Sequence, residues 1–174
     1  MTNDAKLAHK IRILRDWGQE GKYNHVLAGY NYRMDAMQGA VLNVKMDYID
    51  DWSEARRARA RRYQDRLAGA NVELPASEGN DRHVWHVYAI RTPVREVLLT
   101  ALNAAEIGNG IHYPIPVHLQ TAYSNLGAGA GDLPITEKIA TELLSIPMYA
   151  ELSDEQLDFV ADVIRRSAPD PRSI

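Results

Sequence analysis

The chain has 174 residues, 45% of them hydrophobic and 25% charged, which is the composition of an ordinary globular protein. Its formal net charge of -3 gives no general attraction to nucleic acid or an anionic membrane, and no apolar run approaches the ~18 residues of a membrane span. The lack of cysteine excludes disulfides, thiolate metal sites and cysteine nucleophiles, and the N-terminus has no signal-peptide pattern, so a cytoplasmic protein is expected.

The first part of the chain is predicted to be mainly helical. A first helix is predicted over residues 4–15, where apolar residues recur at helical spacing. Residues 16–30 contain three glycines and no periodicity, which indicates an irregular connection. One long helix of about nine turns follows over residues 34–69 and ends at Gly69. Its apolar stripe consists of Met34, Met37, Val41, Val44, Tyr48, Trp52 and Ala55.

After Gly69 the sequence predicts a small domain that mixes helices and short strands. The helix that starts at Thr92-Pro93 is predicted to bury Val97 and Leu98, and the helix over 135–144 to bury Leu143. In chain order, the predicted elements are a short strand at 72–74, a turn at 77–82, a strand at 84–91, a helix ending at Gly108, an extended segment at 111–118, a loop at 126–132, the helix at 135–144, and a last helix capped by Ser153.

The long helix has little of this chain to pack against. Its apolar stripe therefore requires a partner surface, either an upstream domain or a second subunit.

Four segments together resemble a known protein family. They are GYNYRMDAMQGAV (29–41), HVWHVYAIR (83–91), IGNGIHYPIPVHLQTAY (107–123) and LLSIPMYAELSDEQLDFVADVIR (143–165). In this order they closely resemble the DegT/DnrJ/StrS family of sugar-nucleotide aminotransferases, which depend on pyridoxal phosphate (PLP). The resemblance extends from about residue 3 to residue 166 and implies the C-terminal part of an aspartate-aminotransferase-type fold.

The resemblance implies a domain organisation and an activity. Residues 1–33 would be the end of the large PLP-binding domain, 34–69 the connecting helix, 70–166 the small α+β domain, and 167–174 a flexible tail. The complete enzyme would be a homodimer that converts a keto sugar nucleotide into an amino sugar with an amino donor such as glutamate.

The resemblance also implies that the lysine forming the Schiff base with PLP lies upstream of this chain. None of the five lysines has a sequence context expected of that residue, so the chain alone is expected to be inactive. Two explanations remain open: a truncation or misplaced start whose upstream half exists elsewhere, or a non-enzymatic binding or regulatory module. The lysines are Lys6, Lys10, Lys22, Lys45 and Lys138.

The family segments supply the candidate site residues. Asn31 is implied to bind the cofactor phosphate of the neighbouring subunit, with turn formation as the alternative. Arg33 and Tyr30 are candidates for substrate binding, and the alternative for Arg33 is a salt bridge to Asp35 or its neighbours. His112 and Tyr113 match a segment near the sugar nucleotide, with a packed core pair as the alternative.

Three other patterns are assigned to structure rather than function. His86 and His118 are predicted to be structural, and no metal site is predicted because histidines three apart on a strand face opposite sides. The arginine-rich run at 54–66 is interpreted as a solvated helix face with i,i+4 ion pairs, and not as a nucleic-acid site.

Overall fold

The computed structural model describes residues 2–76 and 82–168, and the chain divides into two compact units after Ile49. The predicted turn at 77–82 lies outside the described residues except for Arg82, as does the predicted tail beyond Ala168. The architecture is α+β, as predicted. None of the described helices is both long and apolar enough to cross a bilayer.

The first unit contains two helices, α1 (Ala5–Arg15) and α2 (Ala36–Met46). The side chain of Asp4 caps α1 by accepting hydrogen bonds from the first free backbone amides, which confirms the helix predicted from residue 4. Asp35 and Gln38 form a capping box at the start of α2. The connection between the helices is irregular, as predicted, with isolated bridges in place of a strand.

The long helix predicted over 34–69 is present as two helices. α2 ends at Met46, and α3 (Ile49–Leu67) begins after a turn at Asp47 and Tyr48. The backbone amides of these two residues donate to carbonyls three positions earlier rather than four, which tightens and ends the last turn of α2. The apolar periodicity continues across the break, so hydrophobic spacing alone did not predict it. Gly69, with φ of +72°, follows α3 as the predicted C-cap.

The α2 helix has no buried residue. The predicted stripe residues Met37, Val41 and Val44 are 78%, 57% and 60% exposed. In the first unit, this face of the helix is therefore a hydrophobic surface open to solvent, consistent with the predicted requirement for a partner.

The second unit has its own hydrophobic core. α3 contributes Ala60, Tyr63 and Leu67 to it, and two further helices, α4 (Arg95–Ala104) and α6 (Asp154–Ser167), contribute to the same core and pack against each other. Leu157, Val160 and Ile164 of α6 are buried, and Ser153, the predicted cap, forms a capping box with Gln156. The remaining core side chains include Trp85, Tyr88, Ile90, Leu144, Ile146 and Leu152.

A two-stranded antiparallel sheet lies within this core. It pairs β1 (Tyr88–Arg91) with β2 (Leu143–Ile146), and Ala89 lies opposite Ser145. Single bridges extend it, from Glu73 to Arg91 on one side and from Gly110 to Ser145 on the other. The predicted strand at 84–91 is thus confirmed only in its second half, and the predicted strand at 72–74 is reduced to one bridge.

Sequence patterns misplaced three features of the second unit. α5 (Pro134–Glu142) ends where β2 begins, so residues 143–144, predicted to end a helix, are in a strand. α4 ends at Ala104 instead of Gly108, because Glu106 adopts the left-handed turn, with φ of +56°, that was expected of a glycine. Val97, predicted to be buried, is 46% exposed, whereas Leu98 is fully buried.

Candidate functional site

A short backbone ladder positions the segment that contains Asn31. The amide of Tyr30 donates to the carbonyl of Leu14 at 2.7 Å, and the amide of Tyr32 donates to Arg15 at 2.8 Å. Asn31 forms an antiparallel bridge with Asp16 between these bonds. The end of α1 therefore holds the segment in an extended conformation. The turn that was the alternative explanation for Asn31 is not formed at this residue.

The side chains of this segment alternate as they do along a strand. The rings of Tyr30 and Tyr32 stack with centroids 5.2 Å apart and planes 14° from parallel, so they share one side of the segment. Asn31 is exposed, and its side-chain amide makes no hydrogen bond with any described residue. Both N–H groups of this amide are therefore available to an external acceptor.

Arg33 pairs with Asp16, and not with Asp35 as the alternative prediction proposed. Its Nη1 lies 3.5 Å from Oδ1 of Asp16, and its side chain remains 64% exposed. Asp35 instead accepts a hydrogen bond from the amide of Met37 at 2.7 Å. Because the contact with Asp16 is long and uses one corner of the guanidinium group, the other donors of Arg33 remain available for an anion.

Two glycines determine how closely the loop before Asn31 folds back on itself. A Cβ atom on Gly29 would lie 2.1 Å from the backbone nitrogen of Gly18. A Cβ atom on Gly18 would lie 1.7 Å from the carbonyl oxygen of Leu27, and Gly18 has a φ of +75°. Both positions therefore require glycine for the observed backbone approach.

The second unit contains a solvent-open cleft of about 230 Å³ beside β2. His112 and Ser145 line it, together with His86, Asn109 and Met148. No aspartate, glutamate, lysine or arginine is among the described residues that line this cleft. Its polar groups are therefore neutral hydrogen-bonding groups and imidazoles.

The imidazole of His112 is fixed by two neighbours. Nδ1 of His112 lies 2.9 Å from Oγ of Ser145, which is only 6% exposed. A Cβ atom on Gly110 would lie 2.9 Å from Cε1 of the ring, so the ring packs directly on the glycine backbone. Nε2 makes no hydrogen bond with any residue that the structure describes.

Tyr113 stands beside His112 but outside the core. The two rings meet edge to face, with centroids 5.5 Å apart and an interplanar angle of 86°. Tyr113 is 74% exposed and His112 is also exposed, so the alternative of a packed core pair is wrong.

His118 and His86, both predicted to be structural, lie in different environments. The side chain of His118 is 8% exposed and its Nε2 lies 3.0 Å from Oε1 of Glu137. Glu137 also accepts from the amides of Gly131 and Leu133, and the bond with His118, followed by these amides, holds the pKa of Glu137 below its ordinary value. Glu137 thus ties the glycine-rich loop to α5, and His118 is bound to the same carboxylate.

His86 is exposed and lines the cleft, and it makes no hydrogen bond with a described residue, so a role in packing does not explain it. His83, three residues earlier, accepts at Nδ1 from the amide of Trp85 at 2.9 Å. In the described ranges, no group of three or more histidine, aspartate or glutamate side chains is arranged to hold a metal ion.

The arginines of α3 are mostly engaged with the second unit's own carboxylates and carbonyls. Arg62 forms a two-point contact with Asp158 at 2.8 and 2.9 Å. Within α3, Arg57 pairs with Glu54, three residues away and not four as predicted. The others pair with a different part of the fold: Arg56 with the carbonyls of Trp85 and Met148, Arg59 with Asp154, and Arg66 with Asp158 and Asp162.

All five lysines of the chain are exposed. Lys22 lies 5.0 Å from the ring centre of Tyr23, and Lys138 lies 3.8 Å from Glu142 with 70% of its side chain exposed. A lysine that forms an imine requires an environment that disfavours its protonated form, and burial is the usual means of providing it. None of these lysines is buried.

Sequence reasoning missed several residues that shape the candidate site. Ser145 was not identified as a site residue, although it is a lone serine in the otherwise apolar run LLSIPM. Asp16 and the glycine pair were not detectable, because their partners are defined only once the loop has folded.

A family model, described as the DegT/DnrJ/EryC1/StrS aminotransferase family, matches residues 1–165. The chain is 41% identical over 167 residues to a pleiotropic regulatory protein of Geobacillus stearothermophilus, an alignment that covers 94% of this chain and 45% of that protein. It is 38% identical over 169 residues to the erythromycin biosynthesis sensory transduction protein EryC1 of Saccharopolyspora erythraea, covering 97% and 46%. A dTDP-3-amino-3,4,6-trideoxy-alpha-D-glucose transaminase of Streptomyces venezuelae is also 38% identical, covering 97% and 45%.

Solved structures give the same result. The crystal structure of S. venezuelae DesV in complex with a ketimine intermediate superposes with a TM-score of 0.92 at 38% identity, covering 97% of this chain and 46% of that one. A DegT DnrJ EryC1 StrS aminotransferase from Brucella abortus superposes with a TM-score of 0.90 at 37% identity, covering 97% and 45%. The chain thus spans a little less than half the length of these relatives.

Proposed function

Because the chain belongs to the DegT/DnrJ/EryC1/StrS aminotransferase family, we propose that it is the C-terminal part of a PLP-dependent enzyme that aminates a keto sugar nucleotide. An amino acid such as glutamate donates the nitrogen. The observation that supports this proposal best is the available amide of Asn31, presented by a segment that α1 and a pair of close-packed glycines hold in place.

PLP supplies the electron sink that makes transfer of the amino group possible. The contribution of this chain is to bind and orient. Asn31 donates its amide hydrogens to the cofactor phosphate, and Arg33 supplies positive charge near the same anion or the nucleotide diphosphate. In the proposed homodimer, this phosphate belongs to the neighbouring subunit. The exposure of both side chains in a single chain agrees with a role towards a partner.

The second unit is proposed to contact the nucleotide sugar. His112 and Tyr113 offer an imidazole and a phenol, and Tyr30 of the first unit is a further candidate. His86, which sequence reasoning assigned to structure, joins the proposal because it lines the same cleft as His112. The polar groups of the cleft carry no fixed charge and suit the hydroxyl groups and phosphate oxygens of such a ligand.

The chain by itself is proposed to be inactive, because no lysine is placed to capture a carbonyl. The test is to incubate it with PLP, reduce with borohydride and search for a lysine that retains the cofactor by mass spectrometry. We expect no single lysine to be labelled preferentially. Stoichiometric labelling of one lysine would show that this polypeptide builds its own imine site.

The activity of the complete enzyme can be tested in a chimera that joins the first part of the S. venezuelae transaminase to this chain. The chimera should transfer an amino group to the keto sugar nucleotide that the S. venezuelae transaminase uses. The N31A variant should bind PLP about tenfold more weakly or worse, because hydrogen bonds to a charged phosphate are lost. A chimera that folds, retains PLP and does not react with any keto sugar nucleotide would contradict the proposal.

A second candidate is a non-enzymatic binding or regulatory module. Two relatives are named for regulation, the pleiotropic regulatory protein and the sensory transduction protein EryC1. The two functions differ in what N31A should change. A regulatory phenotype that persists in N31A and in the absence of PLP would favour the module. A phenotype that is lost in N31A and also requires PLP would favour the enzyme.

A further inference from the structure

Ser145 is an unusual polar residue in the core of the second unit. It lies in β2 between Leu144 and Ile146, both nearly fully buried, and is itself 6% exposed. Its backbone is fully engaged with Gly110, by hydrogen bonds of 2.7 and 3.1 Å. Its side chain makes one hydrogen bond with a described residue, to Nδ1 of His112 at 2.9 Å.

The direction of this hydrogen bond follows from the needs of the buried hydroxyl group. If Nδ1–H donated to Oγ, the hydroxyl proton of Ser145 would have no acceptor among the described residues. If the hydroxyl group donates to Nδ1, its proton is satisfied at once, and only lone pairs of Oγ remain unused. Since a buried donor without a partner is costly, the second arrangement is favoured. A neutral imidazole that accepts at Nδ1 carries its proton on Nε2.

Gly110 restricts the ring from another side. Because Gly110 has no Cβ, Cε1 of His112 can pack over the glycine backbone; a Cβ atom there would lie only 2.9 Å from Cε1. The serine sets which nitrogen is protonated, and the glycine sets where the ring lies. Nε2, on the opposite side of the ring from Ser145, has no hydrogen-bond partner within residues 2–76 and 82–168, and His112 lines the cleft.

We propose that Ser145 is a positioning residue that holds His112 in the Nε2–H tautomer, so that His112 donates a hydrogen bond to an oxygen atom of the bound nucleotide sugar. The inference rests on the proposed function, in which His112 contacts that ligand. It adds a buried residue to the site and specifies that His112 acts as a donor at Nε2, and not as a base at that nitrogen.

The tautomer can be measured in the full chain without any ligand. Long-range proton–nitrogen correlation spectra of the histidine-labelled protein, at about pH 8 where a free imidazole is neutral, distinguish a protonated Nε2 from a protonated Nδ1. H112Q identifies the signals. We expect a protonated Nε2 in the wild type, shifts that move towards those of a free histidine in Ser145→Ala, and recovery in Ser145→Thr.

Two further variants separate positioning from general damage. Ser124→Ala removes an exposed serine from a short 3-10 helix and should leave the His112 signals unchanged. Gly110→Ala keeps the hydroxyl group but displaces the ring, so it should also release His112 from Ser145. A wild type with Nδ1 protonated, or a Ser145→Ala variant with unaltered His112 signals, would overturn the positioning role.

Binding of dTDP and of UDP tests the ligand: titration calorimetry measures the affinity of every variant, and the His112 signals report contact with the nucleotide in the variants that keep His112. We expect Ser145→Ala and H112Q to weaken binding about three- to tenfold, as expected for one lost hydrogen bond, and the double variant to be no weaker than H112Q alone. If neither nucleotide shifts the His112 signals of the wild type at millimolar concentration, the assignment of this ligand fails, whatever the tautomer. The tautomer result and the ligand result therefore fail separately.

Discussion

Replacing Gly29 with alanine should open the loop that positions Asn31. The new Cβ would lie 2.1 Å from the backbone nitrogen of Gly18, whereas ordinary contact begins at 3.4 Å, so the two backbones must separate by about 1.3 Å. That movement disrupts the bonds from the amide of Val26 to Gly18 and from the amide of Trp17 to Tyr30, both 2.9 Å long. At about 0.5–1.5 kcal/mol per bond, the loop loses about 1–3 kcal/mol of local stability.

Gly39→Ala is the matched control and should act in the opposite direction. Gly39 lies inside α2, and the nearest atom to its new Cβ is the sulfur of Met34 at 3.7 Å, an ordinary contact. Alanine removes the conformational freedom that glycine has in the unfolded chain, so α2 should gain about 0.5–1 kcal/mol.

Amide hydrogen exchange, read by mass spectrometry on peptides that cover residues 16–32 and 36–46, measures both effects. We expect exchange of residues 16–32 to accelerate about 5- to 150-fold in Gly29→Ala, and exchange in α2 to slow a few-fold in Gly39→Ala. Peptides from α6 should be unchanged in both variants. If Gly29→Ala exchanges like the wild type over residues 16–32, the close backbone approach does not support this loop.

Further predictions concern the second unit. Leu157→Ala, at a fully buried position, should cost about 2–5 kcal/mol in urea unfolding, whereas Phe159→Ala, 49% exposed, should cost far less; equal losses would show that the core is misassigned. The hydrogen bond from Arg62 holds the pKa of Asp158 below its ordinary value, so its stabilisation is present above about pH 4 and is lost as the pH falls through the lower, folded-state value. In Asp158→Asn, the free energy of unfolding should fall less steeply as the pH is lowered below about 4. A pH dependence equal to that of the wild type would contradict the pairing of Asp158 with Arg62. Tyr63→Phe should cost about 1 kcal/mol, since it removes the hydroxyl group that donates to a backbone carbonyl at 3.0 Å.

Elements defined by local interactions were predictable. The cap at Ser153 binds an amide three residues away, so its sequence neighbourhood contains the whole interaction. The same holds for the glycine at position 69, whose left-handed conformation is a property of the residue itself. The family could also be identified, because it depends on the order of motifs and not on contacts.

Features that depend on distant partners were not predictable. The run at 143–146 follows a helical segment and has no strand pattern of its own, and it becomes β2 because residues 88–91 offer it a partner. Leucine and isoleucine in a short run suit either structure, so the buried pairing decided between them. The break in the long helix and the cap at Glu106 are also absent from the apolar periodicity.

The candidate site shows the same division most clearly. Residue type and order identified Asn31, Arg33 and His112 as groups able to bind an anion or an oxygen-rich ligand, because that ability belongs to each side chain. Which nitrogen of His112 is available was decided by Ser145, 33 residues further along the chain. Hydrogen bonds between distant residues exist only after the chain has folded, so the chemical groups were evident in the sequence, while their orientation was determined by the tertiary structure.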